Sequence, residues 1–289
     1  MAEYLIQDTT LTGIADAIRE KTGGTDPVAV SDMAAQIEGI QAGSGGDDVL
    51  DALIDRSITE ISSSFATSIG SYAFYSCSAL TTVNFPVAAT IGIFAFESCS
   101  ALTTVNFPVA VTIENFAFNS CSALTTADFP VATSIGNFAF NSCSALTTVN
   151  FPVATSIGNS AFESCSALTT ADFPVATSIR DSAFYSCSAL TTADFPVATS
   201  IGDSTFNSCS KLKSLLLRGN NVCTLSSKNT FRLTPISSGT GYIYVPSSLI
   251  EQYKAATNWS VYAAQFRALE DYTVDGTITG ELDTAKTGT

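Results

Sequence analysis

The chain has 289 residues, of which 46% are hydrophobic; 26 Asp and Glu face 12 Lys and Arg, and there is no histidine. A net charge of −14 argues against a nucleic-acid partner, whose phosphates need clustered cations, and against anionic membrane surfaces. The missing histidine excludes Ser-His-Asp and Cys-His catalysis, and no apolar run approaches the roughly 20 residues that cross a bilayer.

The first ten residues, MAEYLIQDTT, have no basic n-region and no apolar h-region. They do not read as a signal peptide. Leu11, Ile14, Ala15 and Ile18 then make one helical stripe, which Gly23 and Gly24 end. Ser31 is placed to N-cap a second helix carrying Met33, Ile37 and Ile40. Two short helices rarely fold alone. Residues 1–42 are therefore expected to form a helical module that docks or self-associates. Gln41–Asp48 reads as a flexible linker. Val49, Leu50, Leu53 and Ile54 suggest a short helix over the first coil, within a linker-and-capping segment at 43–57.

The next segment, 58–246, carries the dominant signal. Cys77, Cys99, Cys121, Cys143, Cys165, Cys187 and Cys209 recur every 22 residues, and their surroundings recur with them. A fixed period of this size marks a solenoid. In the coil from Leu80 to Ala101, Leu80, Val83 and Phe85 fit the L-x-x-L-x-L strand of a leucine-rich repeat. Val83 and Phe85 face inward and Asn84 outward. Pro86 ends the strand for lack of an N–H. Ile91, Ala95, Phe96 and Cys99 supply the inward positions of the return path.

Stacking turns each position into a ladder. One runs from Phe74 through Phe140 to Phe206, a second from Phe85 to Phe195 and a third from Ile69 to Ile201. Thirteen of the 19 phenylalanines lie in the first two, so the expected core is aromatic. Counting Ile58 and Ile61 at one end and Gly241–Pro246 at the other gives about nine rungs.

The pattern L-x-x-V-x-F-P followed by x-S-I-G-x-x-A-F-x-x-C-x-x-L resembles the BspA-type leucine-rich repeats of bacterial and some protist surface proteins. It covers about Ile58 to Leu225, in coils one residue shorter than the family's usual form. The resemblance implies a surface-exposed interaction or adhesion protein without enzymatic activity. The missing signal peptide departs from the family's secreted members. The segment from Leu5 to Ile40 is similar to N-terminal segments on proteins of gut Firmicutes and their phages. That likeness implies an attachment module in a virion or prophage product, and leaves an extracellular surface or a virion as the expected location.

Residues 247–289 close the chain. Ser247–Phe266 reads as helical and resembles the cap that often closes such arrays, with Leu249, Tyr253, Trp259 and Tyr262 available to cover the core. The last stretch reads as a hairpin or a tail. Asn258-Trp259-Ser260 matches a glycosylation sequon. The resulting expectation is an α/β repeat: a right-handed leucine-rich-repeat solenoid of 22-residue coils with a helical N-terminal module and a helical C-terminal cap.

Three sets of residues are chemically distinctive. The first is Tyr72, Phe94, Phe116 and Phe138, replaced by Ser160, Ser182 and Ser204 in later coils. These rings either form an exposed aromatic stripe, a mark of interaction sites, or pad the edge of the core. The second is the Thr-Thr-Asn or Thr-Thr-Asp face, including Thr82, Asn84, Thr104, Asn106 and Thr126. It is either plain soluble β-surface or a hydroxyl array for a repetitive ligand such as a glycan. The third is the cysteine ladder. Its spacing of about 4.8 Å exceeds the disulfide Cβ separation near 3.8 Å, and it has no C-x-x-C pair. Free buried thiols are expected, with Cys223 at the isoleucine position of its coil. Asp172 and Asp194 stack as like charges, read as solvated carboxylates because two carboxylates fall short of calcium's six to eight oxygens. No cofactor or metal is expected. The expected function is non-catalytic binding of a protein or glycan ligand. The alternative is a phage or prophage tail-associated structural protein attached through its N-terminal helices.

Overall fold

The computed structural model describes residues 56–273. The expected module at 1–42, the linker, the capping helix near 49–54 and most of the C-terminal tail lie outside those residues.

Each coil is built the same way. Leu80 is fully buried and leads into a three-residue strand, Thr82–Asn84, whose middle residue Val83 is buried. Phe85 turns inward, and Pro86 stops the ladder. Ala88 fills the corner, and a two-residue strand, Thr90–Ile91, buries Ile91. Tight turns then return the chain to Cys99. The turns are also bonded between coils, as where Phe74 N–H donates to the Ala95 carbonyl at 2.8 Å and Phe96 N–H to that of Ala117 at 2.8 Å.

All pairing is parallel. The two-residue strands form one continuous eight-stranded sheet from Ser68–Ile69 to Thr224–Leu225. The three-residue strands form runs of three, two and five strands. Both interruptions fall just after a coil with Val, rather than Ala, at the middle position: Val105 and Val149. Partners stand 22 residues apart, as in Val83↔Val105 and Ile157↔Ile179.

These coils hold no helix among the described residues, so the repeat is a parallel β-solenoid rather than the α/β repeat expected. The turns explain this. Every coil from Tyr72 to Ser208 places two non-glycine residues in the left-handed region, for example Phe94 at φ 58° and Ser98 at φ 61°. A helix cannot propagate through such residues. Each left-handed L-residue costs roughly 1–2 kcal/mol. Ser164→Gly, at φ 61°, is therefore expected to raise stability by up to about 1 kcal/mol. A urea midpoint that falls instead would show that the serine side chain contributes more than the strain.

The core is the aromatic double ladder. Phe74, Phe96, Phe118, Phe140, Phe162, Phe184 and Phe206 are all fully buried. Neighbouring rings stack at 5.1–5.6 Å. The second ladder, Phe85 to Phe195, meets the first edge-on or tilted at 5.8–6.2 Å.

The C-terminal end differs from the expected helical cap. Ser247–Leu249 and Ser260–Gln265 are 3-10 turns and Ile250–Ala255 is a six-residue helix. The chain then adds a strand, Phe266–Ala268, beside Tyr242–Val245, one rung more than expected. Pro246 and the left-handed Asn258 break any longer helix. Trp259 and Tyr253 are fully buried against Phe231 and Phe266. Both also bond the last coil, Trp259 Nε1–H to the Cys223 carbonyl at 2.6 Å and Cys223 N–H to Tyr253 Oη at 2.9 Å. Asn258 of the sequon spends its side-chain amide on the Leu225 carbonyl at 2.8 Å. No helix among the described residues is long and apolar enough to cross a membrane.

Candidate functional site

The aromatic set forms a ladder. Tyr72, Phe94, Phe116 and Phe138 follow the two-residue strands, at left-handed residues that swing each side chain out of the turn. Their ring centroids lie 4.7, 4.6 and 4.7 Å apart, the last two pairs stacked. All four residues are half-buried. Each inner ring is covered on both faces by its neighbours, so ring edges form the accessible surface. The ladder stops at Ser160, which is buried.

The hydroxyl face lies on the three-residue strands. Thr104, Thr126 and Asn106 are exposed; Thr82 and Asn84 are half-buried. Asn106 Nδ2–H donates to Asn84 Oδ1 at 2.6 Å, and Asn150 Nδ2–H to Asp128 Oδ1 at 2.7 Å. The first threonine of the pair is tied down: Thr103 and Thr147 Oγ1–H donate to the Thr81 and Thr125 carbonyls at 3.2 and 3.1 Å. Two further rows do the same, Thr155 to Thr133 and Ser166 to Ser144 among them. Much of the surface O–H capacity is therefore already used. The aromatic ladder and the hydroxyl face occupy separate stretches of the coil, and the structure does not bring them together.

Sequence reasoning passed over two features. One is an exposed apolar ridge: Phe65 (59% exposed) leads Val87, Val109, Val131, Val153, Val175 and Val197, each 38–43% exposed. Its signal was the repeated F-P-V-A, whose Phe and Ala are buried and whose valine was assigned no face. The other is Arg218, which forms a bidentate pair with Asp194, closing to 2.7 Å. That guanidinium offsets the Asp172–Asp194 repulsion: Asp194 is paired where a solvated carboxylate was expected, and Asp172 is exposed as expected.

The eight cysteines are free and buried. From Cys99 to Cys209 each Sγ–H donates to a phenylalanine carbonyl of the preceding coil, at 3.0–3.2 Å. Burial pushes the Cys77 thiol up to about 11 and those of Cys143, Cys209 and Cys223 up to about 12. Cys99, Cys121, Cys165 and Cys187 are raised by the same cause. Such thiols are poor nucleophiles and poor ligands. Cys223 does not take the isoleucine position. Leu225 pairs with Ile201 instead, because this coil is two residues longer. Among the described residues no group of three or more Cys, Asp and Glu could hold a metal ion.

Stacked coils with an L-x-x-L-x-L strand, parallel pairing and a continuous apolar core define a leucine-rich-repeat solenoid. The model of the BspA type leucine rich repeat region matches residues 55–155 and 133–253, in six copies, and the chain belongs to that family. No curated protein matches the chain. Among solved structures it is similar to a leucine-rich repeat protein from Bacteroides ovatus, at 22% identity and a TM-score of 0.43, over 65% of this chain and 59% of that one. The chain thus spans less than two thirds of that protein. It is also similar to the leucine rich repeat protein of T. pallidum, at 22% identity and a TM-score of 0.43, over 63% of this chain and 83% of that one. A leucine rich cell surface protein from Faecalibacterium prausnitzii is 22% identical, with a TM-score of 0.37, over 66% of this chain and 74% of that one.

Proposed function

We propose that the solenoid is a non-catalytic recognition scaffold that holds a protein ligand along its first coils. The observation that carries this reading is the four-ring ladder of Tyr72, Phe94, Phe116 and Phe138, half-buried and confined to one half of an otherwise uniform array. Clustered aromatics at an interface contribute a disproportionate share of binding energy, and these keep their edges accessible. The ring edges favour protein over glycan. A sugar ring stacks on an aromatic face, and here the inner faces are already taken. Edges accept the apolar and aromatic side chains of a polypeptide instead. Thr82, Thr104, Thr126, Asn84 and Asn106 offer a second, polar face for the same partner or a glycan. An adhesive role outside the cell fits this reading. Attachment to a virion rests on residues 1–42.

Changing Phe94, Phe116 and Phe138 together to Ser copies what Ser160, Ser182 and Ser204 already supply at the same left-handed positions. The fold is expected to survive. Affinity for the ligand returned by a combined protein and glycan array is expected to fall at least tenfold, about 1.4 kcal/mol. An unchanged affinity in the folded triple variant would move the site to the threonine face. A glycan hit lost equally in the variant would overturn the preference for protein.

A further inference from the structure

The charge of this chain is sharply uneven. Residues 1–55 carry 11 acidic and 2 basic side chains, and residues 56–210 carry 9 and 2. Residues 211–273 reverse the balance, with 7 basic against 3 acidic. Three of those cations are engaged: Arg218 with Asp194, Lys254 with Glu251, and Arg267 over the Tyr242 ring. The other four, Lys211, Lys213, Lys228 and Arg232, are exposed and have no partner among the described residues.

The four cations arise together. Lys213 stands beside Thr191 in the parallel register, and Lys211 follows Ser210, whose hydroxyl bonds the Ser188 carbonyl. They continue ladders held by Thr191 and Ala189. Lys228 continues the ladder of Asp203, since Thr230 Oγ1 bonds the Ser227 carbonyl as Thr205 Oγ1 bonds that of Gly202. Arg232 continues that of Asn207, because Ser208 N–H donates to the Arg232 carbonyl. Four separate ladders that are neutral or acidic along the array turn basic within the last coils. A random scatter of lysines would not switch four rows at the same end.

At the other end, Asp47, Asp48, Asp51 and Asp55 precede Arg56, where the first coil begins. Asp51 and Asp55 cannot reach their own cations. The first coil and the basic coils are seven to eight rungs apart, on the order of 35 Å at about 4.8 Å per rung. Asp51 is five residues from Arg56 and spans at most about 18 Å fully extended; Asp55 is adjacent to it. A second copy meets no such limit.

We infer that copies of this chain associate head to tail, the Asp47–Asp55 run of one copy on Lys211, Lys213, Lys228 and Arg232 of the next. Made once, such a contact is heterologous and builds linear oligomers; made reciprocally by two copies, it closes a two-fold dimer. At 0.1 M salt the screening length is about 10 Å. The ends then act locally, and the net charge of distant coils opposes them little. The contact uses none of Tyr72, Phe94, Phe116 and Phe138, and meets the threonine face only where Lys213 ends the row of Thr191.

The test uses the full chain. At 0.1 M salt the weight-average mass by light scattering is expected to rise with concentration, and to return to monomer at 1 M. The variant Lys211→Glu, Lys213→Glu, Lys228→Glu, Arg232→Glu is expected to weaken association at least tenfold. So is the variant Asp47→Lys, Asp48→Lys, Asp51→Lys, Asp55→Lys. Mixing the two variants is expected to restore association, which a misfolded variant could not do. Carbodiimide coupling of a mixture of ¹⁴N and ¹⁵N chains is expected to join Lys211, Lys213 or Lys228 to the Asp47–Asp55 run across isotopes. A monomer at 0.1 M, association that survives 1 M salt, a mixture that stays monomeric, or couplings found only within one chain, including to Asp275, Glu281 or Asp283, would each overturn the inference.

Discussion

Phe140→Ala is expected to lower the free energy of unfolding by about 3–5 kcal/mol, the range for a buried aromatic. Phe140 is fully buried and meets rings on every side: Phe118 and Phe162 stacked at 5.2 and 5.4 Å, Phe129 and Phe151 at 5.8 Å. Truncation leaves a void beside the two-residue strand Ser134–Ile135, which is paired on both sides. The cavity cannot close by sliding one coil, because a shift breaks two sheets at once. Neighbour contacts carry solenoid stability, so a defect in mid-array weakens both halves. Urea unfolding of the variant measures the loss. A difference below about 1 kcal/mol would show that this ladder does not hold the coils together.

The second large effect is alkaline unfolding. All eight thiols are buried, and those with folded values of about 11 to 12 stand well above the ordinary value of 9.0. The unfolded chain therefore loses thiol protons first as pH rises. Above about pH 9 the unfolded state binds fewer protons than the folded state, so stability falls with pH. The contribution of each thiol is complete below pH 9 and is lost as pH climbs towards its folded value. Each thiol removes about 1.4 kcal/mol per pH unit in that window. Eight together remove on the order of 10 kcal/mol per unit, as much as a whole domain ordinarily has. Cooperative unfolding is expected within roughly one to two units above pH 9, followed by Trp259 fluorescence. At pH 8 a thiol reagent is expected to find few groups in the folded protein and all eight after denaturation. Native fluorescence persisting beyond pH 12, or ready labelling of the folded chain, would refute the buried-thiol account.

The 22-residue register was legible in the sequence because periodicity reports burial directly. Cys99, Phe96 and Leu80 recur where the core lies, and all three are fully buried. The turns were not legible. Phe94 and Ser98 carry no mark of a left-handed backbone, since glycine and asparagine are the residues that usually signal it. Hence a return path read as part of an α/β repeat proved to be turns. Arg218 was missed because its partner, Asp194, lies one coil back and 24 positions away, off the 22-residue interval. The aromatic substitution pattern was plain in the sequence. Whether its rings offered faces or edges depended on the 4.6–4.7 Å stacking, which no one-dimensional pattern encodes.

The bonds that tie down the surface hydroxyls share one sense. Thr103, Thr147, Thr155, Ser166 and Thr199 each donate to the coil before them in sequence, and so do the buried thiols from Cys99 to Cys209. A row of O–H groups all aimed towards the N-terminal end gives the outer surface an arrow. A filamentous ligand laid along the axis meets a different pattern of lone pairs when it is reversed. A polypeptide, which has a direction of its own, would settle on such a surface one way round.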